Sequence, residues 1–323
     1  MKVLVTGGAG YIGSVTTKHL LDAGHEVVIF DSMELGHKQA IDSRASLIVG
    51  DLRNYDDILG AMQKVKPDAV MHFAAYALVG ESSADPGKYF RNNDVGGVNL
   101  ADAMQACGVK RIVFSSTCAT YGQPEKMPIL ETTPQCPTNP YGQSKFIYEQ
   151  MLRWYQKIHG FRPVFLRYFN ACGAEGALGE DHAIETHIIP NVLKVPLGKL
   201  PEVKIFGDDY NTPDGSCVRD YIHVSDLARA HVLALTADYC GPLNLGTGVG
   251  FSVFQIVEAA RKVTGHPIPA VVSPRRAGDP DMLVADPSEA KRVLGWEAQY
   301  KNPEDIIRTA WEWHQAHPDG YKE

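Results

Sequence analysis

The stretch Gly7-Gly8-Ala9-Gly10-Tyr11-Ile12-Gly13 directly follows an apolar run at residues 3–6 and opens a helix-like segment at residues 12–23. Its Gly-x-x-Gly-x-x-Gly spacing allows a tight turn and lets the backbone approach a pyrophosphate at a helix N-terminus. A glycine motif alone is weak evidence, but here the strand–turn–helix context that such a motif requires is present. The stretch therefore predicts a dinucleotide-binding βα unit.

The rest of the N-terminal half alternates short apolar runs with helix-like segments. The runs are mostly Val, Ile, Leu and Phe without polar alternation, which suits parallel strands buried on both faces. Repeated strand–helix alternation is typical of an α/β fold, so we predict a Rossmann-type doubly wound parallel sheet. The predicted strands are 3–6, 26–31, 47–51, 69–73, 111–116 and 163–169, and the predicted helices are 12–23, 55–65, 95–107 and 141–158.

The alternation ends near Ala171, where a looser region rich in Pro and Gly extends to about Val218. We interpret this change as the start of a smaller C-terminal α/β domain that binds the substrate. Residues 243–245 resemble one more buried strand, so the segment near 223–248 is expected to return to the first domain. The predicted domains are therefore 1–172 and 173–323.

Composition and charge narrow the class of protein. The chain has 323 residues, 44% of them hydrophobic and 21% charged, and a formal net charge of -7, which argues against a nucleic-acid or membrane partner. The six cysteines form no Cys-x-x-Cys pair, and no metalloprotease or serine-hydrolase motif occurs, so we expect no metal site. The first apolar run is too short for a signal peptide. We therefore expect a cytoplasmic protein with reduced thiols.

Asp31 indicates which dinucleotide is bound. It ends the second apolar run, about where a Rossmann fold places the acid that binds the adenosine ribose. A carboxylate at that place repels a 2′-phosphate and therefore favours NAD over NADP. A structural turn with a capping Asp is the simpler alternative, but it does not explain why the glycine motif and the acid occur together.

Tyr141 and Lys145 form a candidate catalytic pair. They are four residues apart, so on a helix that begins at Pro140, capped by Thr138 or Asn139, both side chains lie on one face. A neighbouring ammonium stabilises a phenolate and lowers the pKa of Tyr from its free value of about 10. Such a Tyr is a general base near neutral pH. The pair alone is common by chance, and the alternative is a half-buried Tyr beside a solvated Lys.

The hydroxyl-rich strand end Phe114-Ser115-Ser116-Thr117 strengthens the catalytic interpretation. Doubly wound sheets bind ligands at the carboxyl ends of their strands. Thr117 is therefore placed to form a hydrogen bond with a substrate oxygen while Tyr141 takes its proton. A loop hydroxyl bonded within the protein is the alternative for Thr117.

These features together resemble the extended short-chain dehydrogenase/reductase family. Further runs are similar to those of the UDP-hexose 4-epimerases within that family and extend the resemblance over essentially the whole chain. The segment from residue 207 to 224 is its most specific part. The runs are His72-Phe73-Ala74-Ala75, Val79-Gly80-Glu81-Ser82, Leu166-Arg167-Tyr168-Phe169-Asn170, Gly207-Asp208-Asp209-Tyr210, Val218-Arg219-Asp220-Tyr221-Ile222-His223-Val224 and Asn244-Leu245-Gly246.

The resemblance implies an isomerase that interconverts UDP-glucose and UDP-galactose by transient oxidation at sugar C4 with bound NAD. Tyr141 would deprotonate the 4-hydroxyl, Lys145 would hold the nicotinamide ribose, and Thr117 would bridge to the reacting oxygen. The resemblance also implies a homodimer. The implied cofactor contacts are Gly7, Gly10, Tyr11, Ile12, Gly13, Asp31, Asp51, Leu52, Phe73, Ala74, Ala75, Asn92, Ser115, Tyr141, Lys145 and Tyr168, and the implied substrate contacts are Thr117, Asn170, His187, Ile188, Phe206, Arg219, Tyr221, Arg276, Asp279 and Leu283.

Three positions depart from the family pattern. Many members have Ser where this chain has Thr117, which keeps the hydroxyl but restricts its rotamers. Many members carry Lys in place of Ala77, so one positive charge near the nicotinamide is missing. Members selective for unmodified hexoses often have Tyr where Leu283 stands. The smaller Leu283 leaves N-acetylated UDP-hexosamines open as additional substrates.

Several alternatives remain beside this interpretation. A nucleotide-sugar 4,6-dehydratase needs an acid pair after the Thr, but Cys118-Ala119 follows here. A 4-epimerase of UDP-pentoses or UDP-uronates stays open. A non-enzymatic NAD(H)-binding regulator could dispense with Tyr141 and Lys145, yet this chain keeps both.

Overall fold

A parallel sheet forms the centre of the protein, described by a computed structural model for residues 1–276 and 278–322. The strands are β1 (Lys2–Thr6), β2 (Glu26–Asp31), β3 (Ser46–Val49), β4 (Ala69–His72), β5 (Arg111–Thr117), β6 (Arg162–Tyr168), β7 (Asn170–Cys172), β8 (Val203–Phe206), β9 (Val218–His223), β10 (Gly241–Leu245), β11 (Gly250–Ser252), β12 (Ala270–Ser273) and β13 (Met282–Leu283). Seven of them form the central sheet in the order β10-β6-β5-β4-β1-β2-β3, and all of its neighbouring pairs are parallel.

Helices connect the strands and cover the sheet. They are α1 (Tyr11–Asp22), α2 (Tyr55–Val65), α3 (Val79–Ala84), α4 (Pro86–Tyr89), α5 (Gly96–Ala106), α6 (Pro140–His159), α7 (Ile188–Leu193), α8 (Val224–Thr236), α9 (Val253–Thr264), α10 (Ser288–Leu294) and α11 (Pro303–Ala316). A π-helical turn, Phe90–Val95, leads into α5. Within residues 1–276 and 278–322, no helix is both long and apolar enough to cross a membrane.

The central sheet is buried on both faces. Successive side chains of a strand point to opposite faces, so Val3 and Val5 pack into one core and Leu4 into the other. Helices α1 and α8 cover the first core, and α2, α5 and α6 cover the second. Burial on both sides is the reason why these strands carry continuous apolar runs.

The C-terminal part builds a smaller layer beside the carboxyl ends of the central strands. Strand β9 pairs with β7, β11 and β13, and β8 pairs with β12. Helices α7, α9 and α11 enclose a separate core with these strands. Strand β10 does not belong to this layer but lies at the edge of the central sheet beside β6.

The predicted α/β class with a doubly wound parallel sheet is confirmed. Strand β2 and helix α2 have the predicted bounds, whereas β3 ends at Val49 instead of residue 51. The earlier end follows from the amide of Asp51, which bonds the Asp57 carboxylate at 3.0 Å, so the chain already turns toward α2 there. The domain boundary after residue 172 stays a prediction.

Candidate active site

The glycine loop between β1 and α1 has the close packing that its spacing predicts. Gly7 has φ +73°, and a Cβ added to it would lie 2.5 Å from the Ala74 amide nitrogen. A Cβ on Gly13 would lie 2.1 Å from the Gly7 carbonyl oxygen. Gly10 precedes α1, and no side chain of the described residues caps this helix. The first amides of α1 are therefore free of a side-chain cap, as a pyrophosphate site requires.

Asp31 is fixed against this loop. One carboxylate oxygen accepts a hydrogen bond from the Ala9 amide at 3.0 Å, and the other accepts one from the Met33 amide at 2.9 Å. The acid thus lies at the carboxyl end of β2 beside the glycine loop, where the adenosine ribose is expected. Asp51 follows the next strand, β3, by two residues and pairs with Arg53 at 2.6 Å.

Other predicted cofactor residues surround the same end of the sheet. The amides of Phe73 and Ala74 both donate to the Thr6 carbonyl, at 2.9 and 3.1 Å, which brings the end of β4 against Gly7. Ser115 and Tyr168 share a short hydroxyl–hydroxyl hydrogen bond between β5 and β6. Leu52 is buried in the core, Ala75 lines a narrow cavity beside Ala74, and Asn92 donates to Asn93.

The N-terminus of α6 carries the predicted catalytic pair. Asn139, one of the two expected caps, accepts a hydrogen bond from the Gly142 amide at 2.8 Å. Lys145 extends to the Ser115 carbonyl oxygen, which its Nζ contacts at 2.9 Å. Thr117 ends β5, and its hydroxyl oxygen accepts from the Ala119 amide at 3.1 Å. One strand end and one helix start therefore hold the predicted base, the ammonium and the hydroxyl.

The pKa of Tyr141 differs from the expectation. Burial raises the pKa of Tyr141 to about 12, with the Thr117 hydroxyl acting in the opposite direction. Burial also lowers the pKa of Lys145 to about 7, opposed by Asp94. In the protein alone, desolvation thus outweighs the effect that we expected from Lys145, since it disfavours the charged form of both groups.

Predicted substrate residues gather in the smaller layer. Arg219 donates to Asp279 at 2.5 Å, and Leu283 of β13 lies opposite Arg219 of β9 in the sheet register. The Arg276 guanidinium lies 4.2 Å from the centroid of the Phe206 ring. Leu283 packs in one apolar cluster with Cys118, the residue after Thr117. The layer with the two arginines therefore meets the catalytic strand end.

Three further predicted substrate residues have different surroundings. Asn170 donates to the Asp220 carbonyl at 3.2 Å and links β7 to β9. Tyr221 is buried in the core of the smaller layer, and Ile188 packs against that core from the first position of α7. In the protein alone, these three side chains therefore contact other protein groups.

His187 belongs to a charged cluster that sequence reasoning missed. Its Nδ1 lies 2.8 Å from a carboxylate oxygen of Glu180 and 2.8 Å from one of Glu185. These partners raise the pKa of His187, and the two histidines His182 and His187 hold the pKa of Glu180 at about 2. His182 in turn lies edge-on to the ring of Tyr11, at 6.5 Å between centroids. The cluster thus joins the start of α7 to the glycine loop; the alternation of acids and histidines over residues 180–187 was its one sequence signal.

Known proteins are similar over the full length of the chain. The family model for the NAD dependent epimerase/dehydratase family matches residues 3–246. The UDP-glucose 4-epimerase of Lacticaseibacillus casei is 50% identical, with 99% of each chain covered. The crystal structure of UDP-glucose 4-epimerase from Brucella ovis in complex with NAD has 47% identity and a TM-score of 0.92, covering 96% of this chain and 97% of that one. The crystal structure of UDP-glucose 4-epimerase from Bifidobacterium longum in complex with NAD+ and UDP has 39% identity and a TM-score of 0.94. The match covers 99% of this chain and 100% of that one.

Proposed function

Because the chain belongs to the NAD dependent epimerase/dehydratase family, we propose that it interconverts UDP-glucose and UDP-galactose as an NAD-dependent 4-epimerase. The observation that carries this proposal is the meeting of Thr117, Tyr141 and Lys145 beside the glycine loop, in a chain that matches UDP-glucose 4-epimerases from end to end. Tyr141 and Lys145 are the groups that a purely NAD-binding regulator could lose.

The residues at the carboxyl end of the sheet fit NAD. The glycine loop leaves no space for side chains at Gly7 and Gly13 and presents uncapped amides of α1 to a pyrophosphate. Asp31 offers a fixed carboxylate for the adenosine ribose hydroxyls. Tyr168 and Lys145 both form hydrogen bonds with Ser115, where the nicotinamide end would lie. When bound at these residues, oxidised NAD would supply the hydride acceptor for sugar C4 and, once reduced, the hydride donor to the other face.

Tyr141 moves the proton in this scheme. Its phenolate oxygen takes the proton of the sugar 4-hydroxyl during oxidation and gives it back during reduction. The Thr117 hydroxyl binds the same sugar oxygen and orients it. A base with a pKa of about 12 works poorly at neutral pH, so positive charge must lower the pKa of Tyr141 in the loaded enzyme. The ammonium of Lys145 would supply that charge, together with an oxidised nicotinamide ring when NAD is bound.

The smaller layer holds the UDP group in this proposal. Arg219 and Arg276 are the cations that we assign to the diphosphate, because guanidinium groups bind its oxygens with good geometry. Asp279 orients Arg219 through their hydrogen bond. His187 and Ile188, at the start of α7, hold the nucleotide from the side of the glycine loop.

Substrate breadth is a second question at this site. Leu283 is buried beside Cys118 at the catalytic strand end, where a larger ring would narrow the space around the sugar. We propose that UDP-N-acetylglucosamine is accepted as well as UDP-glucose. UDP-pentoses and UDP-uronates are the competing substrates in the test below.

The outer face of α6 supports a homodimer. Trp154 and Ile158 are exposed apolar residues one turn apart on this helix, and Val95 is exposed at the end of the π-helical turn before the adjacent α5. Such a stripe favours burial against a second copy. The six free cysteines support the cytoplasm as the compartment, because that compartment keeps thiols reduced.

The direct test incubates the purified protein with UDP-galactose and no added reductant, and detects UDP-glucose by chromatography. We expect conversion to the same equilibrium mixture from either sugar. Parallel incubations with UDP-N-acetylglucosamine, a UDP-pentose and a UDP-uronate rank the substrates. Binding of NAD without turnover of any of these sugars would favour the regulator instead.

A further inference from the structure

Asp94 is a buried carboxylate close to the proposed catalytic ammonium. It lies in the π-helical turn before α5, and neither carboxylate oxygen has a hydrogen-bond partner among residues 1–276 and 278–322. Burying a carboxylate without hydrogen bonds lowers the stability of the folded protein, so we expect another interaction to compensate for it. Neither the glycine motif nor the Tyr-x-x-x-Lys pair points to this residue.

The residues just before Asp94 and Lys145 tie the two segments of the chain together. The Asn93 side-chain amide donates to the Ser144 hydroxyl at 3.0 Å, so the π-helical turn is tied to α6 one residue before each charged group. Asn93, Ser144 and Lys145 line one narrow cavity together with Tyr148. Asn93 is itself fixed, because its carbonyl oxygen accepts from the Tyr76 amide at 3.0 Å. Asp94 and Lys145 thus each directly follow one of two hydrogen-bonded residues. Burial raises the pKa of Asp94 to about 7, Lys145 acts against that shift, and Asp94 in turn raises the pKa of Lys145.

The other groups around Lys145 are neutral. His72 of β4 faces the same cavity, and burial lowers its pKa to about 3. Burial raises the pKa of Tyr148 on α6 far above its usual range. The Ser115 carbonyl of β5 accepts from Lys145 but carries no net charge. Among the described residues, Asp94 is therefore the acid that raises the pKa of Lys145.

We propose that Asp94 is a positioning residue that keeps the side chain of Lys145 in its ammonium form during the reaction. This inference rests on the proposed function, in which that ammonium helps to lower the pKa of Tyr141. Burial lowers the pKa of Lys145 to about 7 even though Asp94 acts against it. Removing the carboxylate therefore lowers the pKa of Lys145 further, and the amine loses its proton at a lower pH.

The variant Asp94→Asn in the NAD-loaded enzyme tests this proposal through the pH dependence of kcat. We expect the fall of kcat at alkaline pH, where Lys145 loses its proton, to begin about one pH unit lower than in the wild-type protein. Relative to wild type, kcat is then nearly unchanged at acid pH and about tenfold lower at a pH above this alkaline limb of the profile. Asp94→Glu should keep the limb of the wild-type protein. An unchanged limb, or one uniform loss at every pH, would overturn the proposal.

Two further measurements keep the test independent of folding and of turnover. Asp94→Val replaces the unpaired acid with an apolar side chain that burial favours, and it should show the same shift as Asp94→Asn. The pKa of Lys145, followed by 13C NMR of labelled lysine in the NAD-loaded protein, should fall equally in both variants even without turnover. Asp56→Asn, which removes an exposed acid on α2, is the matched control. A Lys145 pKa unmoved by both Asp94 variants would refute the role of Asp94 whatever the enzyme's substrate.

Discussion

Replacing Tyr141 by Phe removes one oxygen atom from the site and leaves its scaffold in place. Thr117 keeps its hydrogen bond from the Ala119 amide, and Lys145 keeps its contact with the Ser115 carbonyl. General acid–base groups contribute about 10²- to 10⁴-fold to a rate. We therefore expect kcat for UDP-galactose to fall by about 10²- to 10⁴-fold, which equals about 3–5 kcal/mol of barrier. Binding of NAD should be unchanged.

The assay follows formation of UDP-glucose together with the amount of NAD bound to each protein. Tyr155→Phe removes the same atom from the distant end of α6 and should retain full activity. If Tyr141→Phe binds NAD and keeps more than about a tenth of wild-type kcat, Tyr141 is not the base.

Three further substitutions test other parts of the site and fold. Leu283→Tyr should reduce kcat/KM for UDP-N-acetylglucosamine far more than for UDP-glucose, and an unchanged ratio would remove Leu283 from the specificity site. Arg219→Ala should raise the KM for UDP-galactose about 10- to 100-fold, the loss expected for one charged hydrogen-bond donor; an unchanged KM would place the diphosphate elsewhere. Glu149→Gln breaks the buried ion pair with Arg167 and should lower the free energy of unfolding in urea by about 3–5 kcal/mol. If Glu149→Gln lowers the free energy of unfolding no more than the exposed Glu312→Gln does, the stabilising role of this ion pair is contradicted.

The N-terminal unit could be predicted from sequence because its signals are local. Strand β1, the glycine loop and α1 follow one another within residues 2–22, and each needs only its own residue types and spacing. Asp31 could be placed for the same reason, since it directly ends the apolar run of β2. The family and the use of NAD, inferred from these motifs, are confirmed.

The smaller layer depends on contacts that no local pattern carries. Strand β13 has two residues, too few for any periodicity, and it is fixed by pairing with β9. The buried carboxylate of Asp220 contributes by accepting hydrogen bonds from the amides of Thr247, Gly248 and Ala285. These partners are 27 to 65 positions away along the chain. Strand spacing alone could not have predicted them.

The pKa shifts within the site also could not be predicted from the sequence. The sequence placed Lys145 near Tyr141 and predicted a lowered pKa for the phenol, but burial raises the pKa of Tyr141. Burial is set by the whole fold, so neither its sign nor its strength follows from a four-residue spacing. Asp94 and Glu180 were missed for the same reason, because each acts only through neighbours that folding brings together.

The central claim is that hydride leaves sugar C4 and returns to the same carbon without exchange with water. UDP-galactose carrying deuterium at C4 tests it directly, with the UDP-glucose product analysed by mass spectrometry and NMR. We expect the deuterium to remain at C4 of the product both after one turnover and after the two sugars have reached equilibrium. Loss of the label to solvent would contradict the hydride mechanism and the role of NAD as the hydride acceptor.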